Sequence, residues 1–500
     1  MKKTIATLLA LVTLIFPLAS CKKDKNANTN TDTSNVTQAD ETGRLAELGS
    51  RDFEGEIFTI LDANDYPDMH VNFSTDETKF DSKINEALYN RDIRLTVSYN
   101  LGGIEYISKT KAADGIDALR TQSLVGTVDY DMVISTAVGA TAEASGGTLA
   151  AVALQGVLKN LNDLQYLSLD KEWWSPLIYK NMLLNDKLFF TTGDIVPSLY
   201  QAPAAMYVNM DRFLQYYEGT DIFKIVEDGE WTLEKLYTMT ADLSQDTNKD
   251  NVMNASDDFF GIIIAQNGLS VQNFVIGAGL TFSKVENNSL TMNLKSETLG
   301  NAVEKIAMLF PSMSFAYGGT GSVSERQQNV INVTFKNGKA VFLAHQLEAA
   351  MFHLRDMKDD YAVLPYPKMD ANQEQYLSQV NHWCDCFVSA PNAIPEERLE
   401  FVGFVMEAMA AYSNKEMRPL VYETVLKLQR VNDAQSSAMI DVIMDGIVVD
   451  YAVVHDIAGL AGMALKAAID ETPMNVQAMT KRGEIDRAIQ EIMTAHGIDA

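Results

Sequence analysis

Val128-Asp129-Tyr130-Asp131-Met132-Val133-Ile134 reads as a strand that ends at Ser135-Thr136, and its surroundings decide the fold class. Upstream, Phe53–Leu61 (FEGEIFTIL) is a second strand-like run, stopped by the polar turn Asp62-Ala63-Asn64-Asp65. Between the two lies Lys83–Arg94 (KINEALYNRDIR), where Ile84, Ala87 and Leu88 share one helical face. Leu95–Tyr99 then reads as strand. Strands alternating with helices predict α/β units around a parallel sheet. In such sheets ligands meet the loops after the carboxyl ends of the strands. Asn64, Asp65 and Thr136 are therefore candidate binding residues.

The pattern continues downstream. Met206–Val208, Phe259–Ala265, Lys339–Ala344, Tyr361–Leu364 and Cys386–Ser389 read as short buried strands. Thr232 caps a helix that places Leu233, Leu236 and Tyr237 on one face, with Trp231 as a structural staple before it. A helix-like stretch follows Ala344 through Met357. Pro395 opens a strong helix with Val402, Val405, Met406, Met409 and Ala410 in one stripe, and the remainder is mostly helical, closing with Ile485, Ile489 and Ile492.

The chain has 500 residues, 40 Lys+Arg against 67 Asp+Glu, a net charge of −27, 47% hydrophobic residues and three Cys. Such acidity repels phosphate backbones and argues against nucleic acid as a partner. The apolar content excludes global disorder, the length calls for two or more lobes, and three Cys cannot make a disulfide framework.

Lys2 and Lys3 precede an uncharged apolar stretch, Thr4–Ala19, which is short for a membrane span but suits a signal peptide over residues 1–20. Leu18-Ala19-Ser20-Cys21 resembles the lipobox of bacterial lipoproteins. The resemblance implies cleavage before a lipidated Cys21 and a mature charge of −29, once two lysines are lost from the −27 total. Residues 21–51 then read as the lipidated Cys and a flexible tether, too polar to bury a core.

The ordered landmarks of the body are Asp129-Tyr130-Asp131-Met132-Val133, Leu161-Asn162-Asp163-Leu164 with Trp173-Trp174, and Asn185-Asp186-Lys187-Leu188-Phe189 with Thr192-Gly193-Asp194. They continue with Gly229-Glu230-Trp231-Thr232, Asn337–Phe342 and Leu364-Pro365-Tyr366-Pro367. Together they resemble the extracellular solute-binding lipoproteins of bacterial ATP-binding-cassette importers, family 1, the carbohydrate type. The resemblance implies a two-lobe periplasmic-binding-protein-like fold with an interlobe ligand cleft and a helical C-terminal region. It implies an N-terminal lobe over 52–185, to which about 376–415 returns. A C-terminal lobe over 186–375 would carry about 416–500 as helices packed on it. It also implies a monomer, lipid-anchored on the extracytoplasmic face of the bacterial cell membrane, that hands a small polar solute to a permease and does no covalent chemistry. A sugar or oligosaccharide is the favoured solute, with a polyamine or peptide left open by the acidity. A surface glycan-capture lipoprotein without a permease is the alternative. A secreted glycoside hydrolase would need two carboxylates at a defined separation.

Two local clusters carry chemistry. Asp246–Asp257 places oxygens at the spacing of a calcium loop: Asp246, Asn248, Asp250, the Val252 carbonyl, Asn254 and Asp257. Asn251 stands where such loops have Gly, and Asp257 where they have Glu; the competing reading is an Asn/Asp-rich turn without metal. No cofactor is required, and calcium would be structural. In Asn381–Cys386, strand alternation sets Cys384 and Cys386 on one face, and Trp383 and Asp385 on the other. Trp383 would stack on a sugar ring and Asp385 accept from its hydroxyls; Cys-x-Cys does not have zinc spacing. Asp194, near a lobe crossing, and His345-Gln346, at a strand end, complete the candidate ligand set, and Trp173-Trp174 is read with one ring facing the cleft.

Overall fold

The computed structural model describes residues 45, 48–63, 83–127, 129–138, 148–310, 314–315, 330–384, 386–428, 433–470 and 472–498. In chain order the strands are β1 (Ile57–Ala63), β2 (Gly103–Lys109), β3 (Met132–Ser135), β4 (Ala204–Asn209), β5 (Phe260–Ala265), β6 (Ser283–Glu286) and β7 (Ser289–Met292). They continue with β8 (Ser314–Phe315), β9 (Ala340–Gln346), β10 (Tyr361–Leu364), β11 (Ser378–Gln379), β12 (Phe387–Ser389) and β13 (Ile447–Val448).

Two sheets organise the chain. The first has the order β12-β3-β1-β2, with β1 parallel to β2 and β3, and β12 antiparallel to β3. The second has the order β10-β4-β9-β5-β8. In it β5 runs parallel to β8 and β9, while β4 runs antiparallel to β9 and β10. β4, β5, β9 and β10 are buried along their whole length, as strands covered on both faces must be. The parallel α/β expectation holds for β1, β2 and β3 of the first sheet, whose edge strand β12 is antiparallel, and the second sheet is mixed.

One motif of the first sheet depends on a buried carboxylate. Asp131 accepts from Thr59 N at 2.9 Å and from Arg398 Nε and Nη2 at 2.6 and 2.9 Å. Arg398 also donates to Ile57 O at 2.7 Å. The first turn of the long Glu396–Leu428 helix is thereby fastened to the amino ends of β1 and β3 by charge-assisted bonds.

Leu95–Tyr99 is not strand: the helix begun at Lys83 runs on to Tyr99. Leu95, Ser98 and Tyr99 continue its buried face, and Tyr99 meets Phe404 of the long helix edge-on at 4.7 Å. Tertiary packing outweighs the β-branched local sequence here. The stretch after β9 yields only one π-helical turn, Ala349–His353. Trp173 and Trp174 are both buried. Their ring N–H groups donate to Glu407 Oε1 and Oε2 at 3.0 and 2.6 Å, so neither ring faces a cleft. Trp231 is structural as expected, donating to Pro365 O at 2.9 Å, and Thr232 accepts from Lys235 N as the helix cap.

The chain crosses between the sheets in neighbouring segments. Thr191 pairs with Val388 and Pro203 with Val380, each antiparallel, and Asn381 N donates to Ala202 O at 2.9 Å. β11 pairs in parallel with β13 from the C-terminal region. The Leu460–Ile469 helix packs on Gly268–Gly277 and Glu297–Ala307 beside the second sheet. Gly268 is required there, since a Cβ would sit 2.1 Å from Ala461 O. No helix among the described residues is long and apolar enough to cross a membrane.

Candidate functional site

Asn381 shapes the site. Its side-chain oxygen accepts from Trp383 N at 3.0 Å and its carbonyl from Cys384 N at 3.1 Å. This turn stands at Trp383 and Cys384 where strand was expected, so face alternation does not apply to them. Cys384 and Cys386 are nonetheless both buried, as thiols, while Trp383 stays half-buried. The His382 carbonyl accepts from Ala137 N and Val138 N at 3.1 and 3.2 Å. The chain leaving β3 at Thr136 is thus docked directly behind the Trp383 turn.

Trp383 forms one wall of a cavity of about 380 Å³. The first-sheet side contributes Val138, Ala151 and Leu154, and the C-terminal helices contribute Val454, Ile457 and Ile492. Polar groups on this mainly apolar surface are Thr148, His455, Asp456 and Glu491; no Lys or Arg is among the described lining residues. Thr148 is fixed by capping the Leu149–Leu154 helix through Ala151 N at 3.0 Å.

The opposite wall hangs on Asp450. Its carboxylate accepts from Phe282 N (2.8 Å), Ser283 N (3.1 Å) and Ser283 Oγ (2.8 Å) at β6, and from Ala452 N (2.9 Å) and Val453 N (3.3 Å) as cap of the Tyr451–Val454 helix. The helix points His455 and Asp456 at the cavity. His455 stacks on Tyr451, centroids 4.9 Å apart and planes at 8°. Burial, then nearby His496, lowers His455 to about 3, so its ring is neutral at pH 7. His496 Nδ1 lies 2.8 Å from Ile492 O, and its Nε2 3.1 Å from the Tyr451 hydroxyl. A carbonyl only accepts, so Nδ1 carries the proton and Tyr451 donates to Nε2. Asp456 accepts from Ala461 N at 2.9 Å, and burial pushes its carboxyl upward. Asp456 and Ala458 have φ of +40° and +55°, a strained backbone of the kind that gathers at binding sites.

The candidate residues divide as follows. Cys21, Asn64, Asp65 and Asp385 lie outside the described residues. Thr136 is buried beside Trp383's turn, its hydroxyl without a hydrogen bond. Asp194 sits apart, in a second cavity of about 480 Å³ with Asp170, Glu172, Arg418 and Asp445. There it accepts from Tyr200 Oη at 2.8 Å and Asn414 Nδ2 at 2.6 Å, and burial raises its carboxyl. His345 and Gln346 are buried at the carboxyl end of β9 and do not line the Trp383 cavity. Sequence reasoning missed Thr148, His455, Asp456 and Glu491; the polar His455-Asp456 pair breaking the apolar run from Ile447 to Leu460 was the available signal.

The Asp246–Asp257 loop is mostly exposed, and its oxygens engage its own backbone. Asp246 accepts from Lys249 N and Asn251 N, both at 2.7 Å. Asn248, Asp250 and Asn254 accept from Asp250 N, Val252 N and Ser256 N at 3.0, 2.7 and 3.0 Å. Asn251 takes the left-handed turn at φ +64°. Buried Asp258, one residue past the motif, braces it through Thr247 N and Asn254 N, both at 2.8 Å. Among the described residues, Asp246, Asp250 and Asp257 do not converge as a set of carboxylates around one point.

No protein-family model matches the chain, and no curated protein sequence does. Solved structures do match. A cyclo/maltodextrin-binding protein complexed with maltotetraose aligns at 13% identity over 87% of this chain and 98% of its own, with a TM-score of 0.55. UspC of M. tuberculosis aligns at 13% identity over 86% and 100%, TM-score 0.53. An extracellular solute-binding protein from Staphylococcus aureus in complex with maltose aligns at 10% identity over 87% and 98%, TM-score 0.53. At these identities the likeness concerns architecture: the chain has the two-lobe α/β fold of the periplasmic binding proteins.

Proposed function

We propose that this protein captures a sugar or short oligosaccharide in the Trp383 cavity, without covalent chemistry, and delivers it to an ATP-binding-cassette permease. The observation that carries the proposal is Trp383 itself, a half-buried indole on a mainly apolar cavity whose lining includes the carboxyl groups of Asp456 and Glu491. An indole face covers the C–H face of a pyranose, while carboxylates accept from its hydroxyls. The absence of Lys and Arg from the described lining favours a neutral solute over an anion. Relatives in fold that are bound to maltose and maltotetraose support the choice of sugar. Anchoring through a lipidated Cys21, with the following residues as a tether, belongs to the same proposal.

Calorimetric titration with maltose, maltotriose and maltotetraose tests it. Binding is expected, and Trp383→Ala should weaken it by about 1–3 kcal/mol. Sugar affinity unchanged by the substitution would remove Trp383 from the site. Binding of polyamines instead, insensitive to Trp383, would move the site to the acid-lined cavity around Asp194. Calcium at the Asp246–Asp257 loop is also proposed, in a structural role. Adding Ca2+ to chelator-stripped protein should raise Tm, and an unchanged Tm with no heat of binding would leave the loop a set of Asx turns.

A further inference from the structure

At the carboxyl end of β9 the π-helical turn Ala349–His353 brings His353 back beside His345, ring centroids 5.6 Å apart at 74°. Glu348 Oε1 lies 3.7 Å from His345 Nδ1. His345, Glu348 and His353 are 5%, 4% and 2% exposed. None of the four ring nitrogens makes a hydrogen bond. Burying polar atoms without partners is costly, and π-turns are rare and concentrate at functional sites. One ligand atom from each of the three residues lies within 4.8 Å of the other two; among the described residues it is here that His, Cys, Asp or Glu side chains gather so closely.

We propose that His345, Glu348 and His353 form a binding site for a divalent transition metal of the Zn2+ class, with a fourth position left open. Two imidazoles and a carboxylate suit such an ion and do not suit Ca2+ or Mg2+, which take oxygen ligands. Metal–ligand bonds of about 2.0–2.2 Å in a tetrahedron place ligand atoms roughly 3.3–3.6 Å apart. The His345–Glu348 separation of 3.7 Å nearly meets this, and the other pairs, within 4.8 Å, need a contraction of at most about 1.5 Å, which side-chain rotation can supply. Lys336, the cation that bears on His353, is paired with Asp356. The site also touches a crossing segment: Glu348 N donates to Gln201 O at 3.0 Å and Leu347 N to Pro203 O at 2.9 Å. Metal bound there would stiffen the join between β9 and the segment entering β4, whether or not the protein carries sugar.

Untagged, chelator-stripped protein titrated with Zn2+ should bind one equivalent, and Co2+ should give the intense visible bands of a four-coordinate site, bleached by Zn2+ but not by Ca2+. His345→Asn and His353→Asn should each weaken Zn2+ binding by on the order of 100-fold or more, with sugar affinity in metal-free buffer unchanged. Crystals grown with Zn2+ should show an anomalous-scattering peak between the three side chains, a readout on the unsubstituted chain that holds even where a variant fails to fold. No binding, a six-coordinate Co2+ spectrum, undiminished binding by the folded variants, or a peak elsewhere would each overturn the proposal.

Discussion

Replacing Asp450 with Ala is expected to destabilise the protein by about 3–5 kcal/mol and to abolish tight solute binding along with it. The substitution strands buried donors at Phe282 and Ser283 and removes the side-chain cap of the Tyr451–Val454 helix. A lost cap costs about 0.5–2 kcal/mol, and each orphaned buried donor about 1–3 kcal/mol. With about 2.1 cal/mol/K of unfolding entropy per residue, Tm should fall by about 3–5 °C. The affinity loss follows because the Asp450 carboxylate joins β6 to the helix that presents His455 and Asp456. Asp450→Asn keeps one acceptor oxygen and should show roughly half the loss. Calorimetric unfolding and sugar titration of both variants check this; a Tm within 1 °C of the parent (roughly 1 kcal/mol) would show that the donors find other acceptors.

Acidification is expected to cost as much. Burial holds His345, His382 and His455 at about 3 and His353 at about 4, whereas in the unfolded chain each titrates near 6.5. Their folded values are depressed. Above about pH 6.5 both states are neutral and these rings add no pH dependence. Below it the unfolded chain binds protons that the folded chain refuses, so stability falls by up to about 1.4 kcal/mol per pH unit for each ring. Four rings give a loss on the order of 5 kcal/mol between pH 6.5 and 5. Asp194, Asp450 and Asp456 act in the opposite sense: burial raises their folded values, so protonating them favours the folded state, in the window from their raised values down to the usual carboxylate range. Tm in chelator should be flat above pH 7 and drop steeply below pH 6, and His382→Asn should make the drop shallower. A flat profile down to pH 5 would mean that these rings are solvated in the folded state.

The α/β class and most strands could be read from the sequence because apolar runs bounded by polar turns report burial directly, as at Phe260–Ala265 and Ala340–Gln346. Leu95–Tyr99 misled because its local propensity is strand-like, whereas the long helix that packs against it lies some 300 residues on. Trp383 lies on the cavity wall because the Asn381 turn, and not strand alternation, leaves its ring half-buried. The far wall of the cavity was illegible because His455 and Asp456 acquire their place only through Asp450's bonds to Phe282 and Ser283, a long-range pairing that no local pattern encodes. Asp194 shows the converse: an acid near a crossing, correctly located, whose bonds to Tyr200 and Asn414 tie it into a different cavity.

The hydrogen bonds around Asn381 and His382 carry one more consequence. Asn381 N is held by Ala202, on the segment entering the second sheet, while the very next carbonyl, His382 O, is held by Ala137 and Val138, on the segment leaving the first. The seam between the two bodies therefore passes between consecutive residues. Trp383 rides with the first body, while the His455–Asp456 wall, riveted to β6 by Asp450, rides with the other. Under the proposed function, a solute held between Trp383 and Asp456 would set the spacing of these two walls.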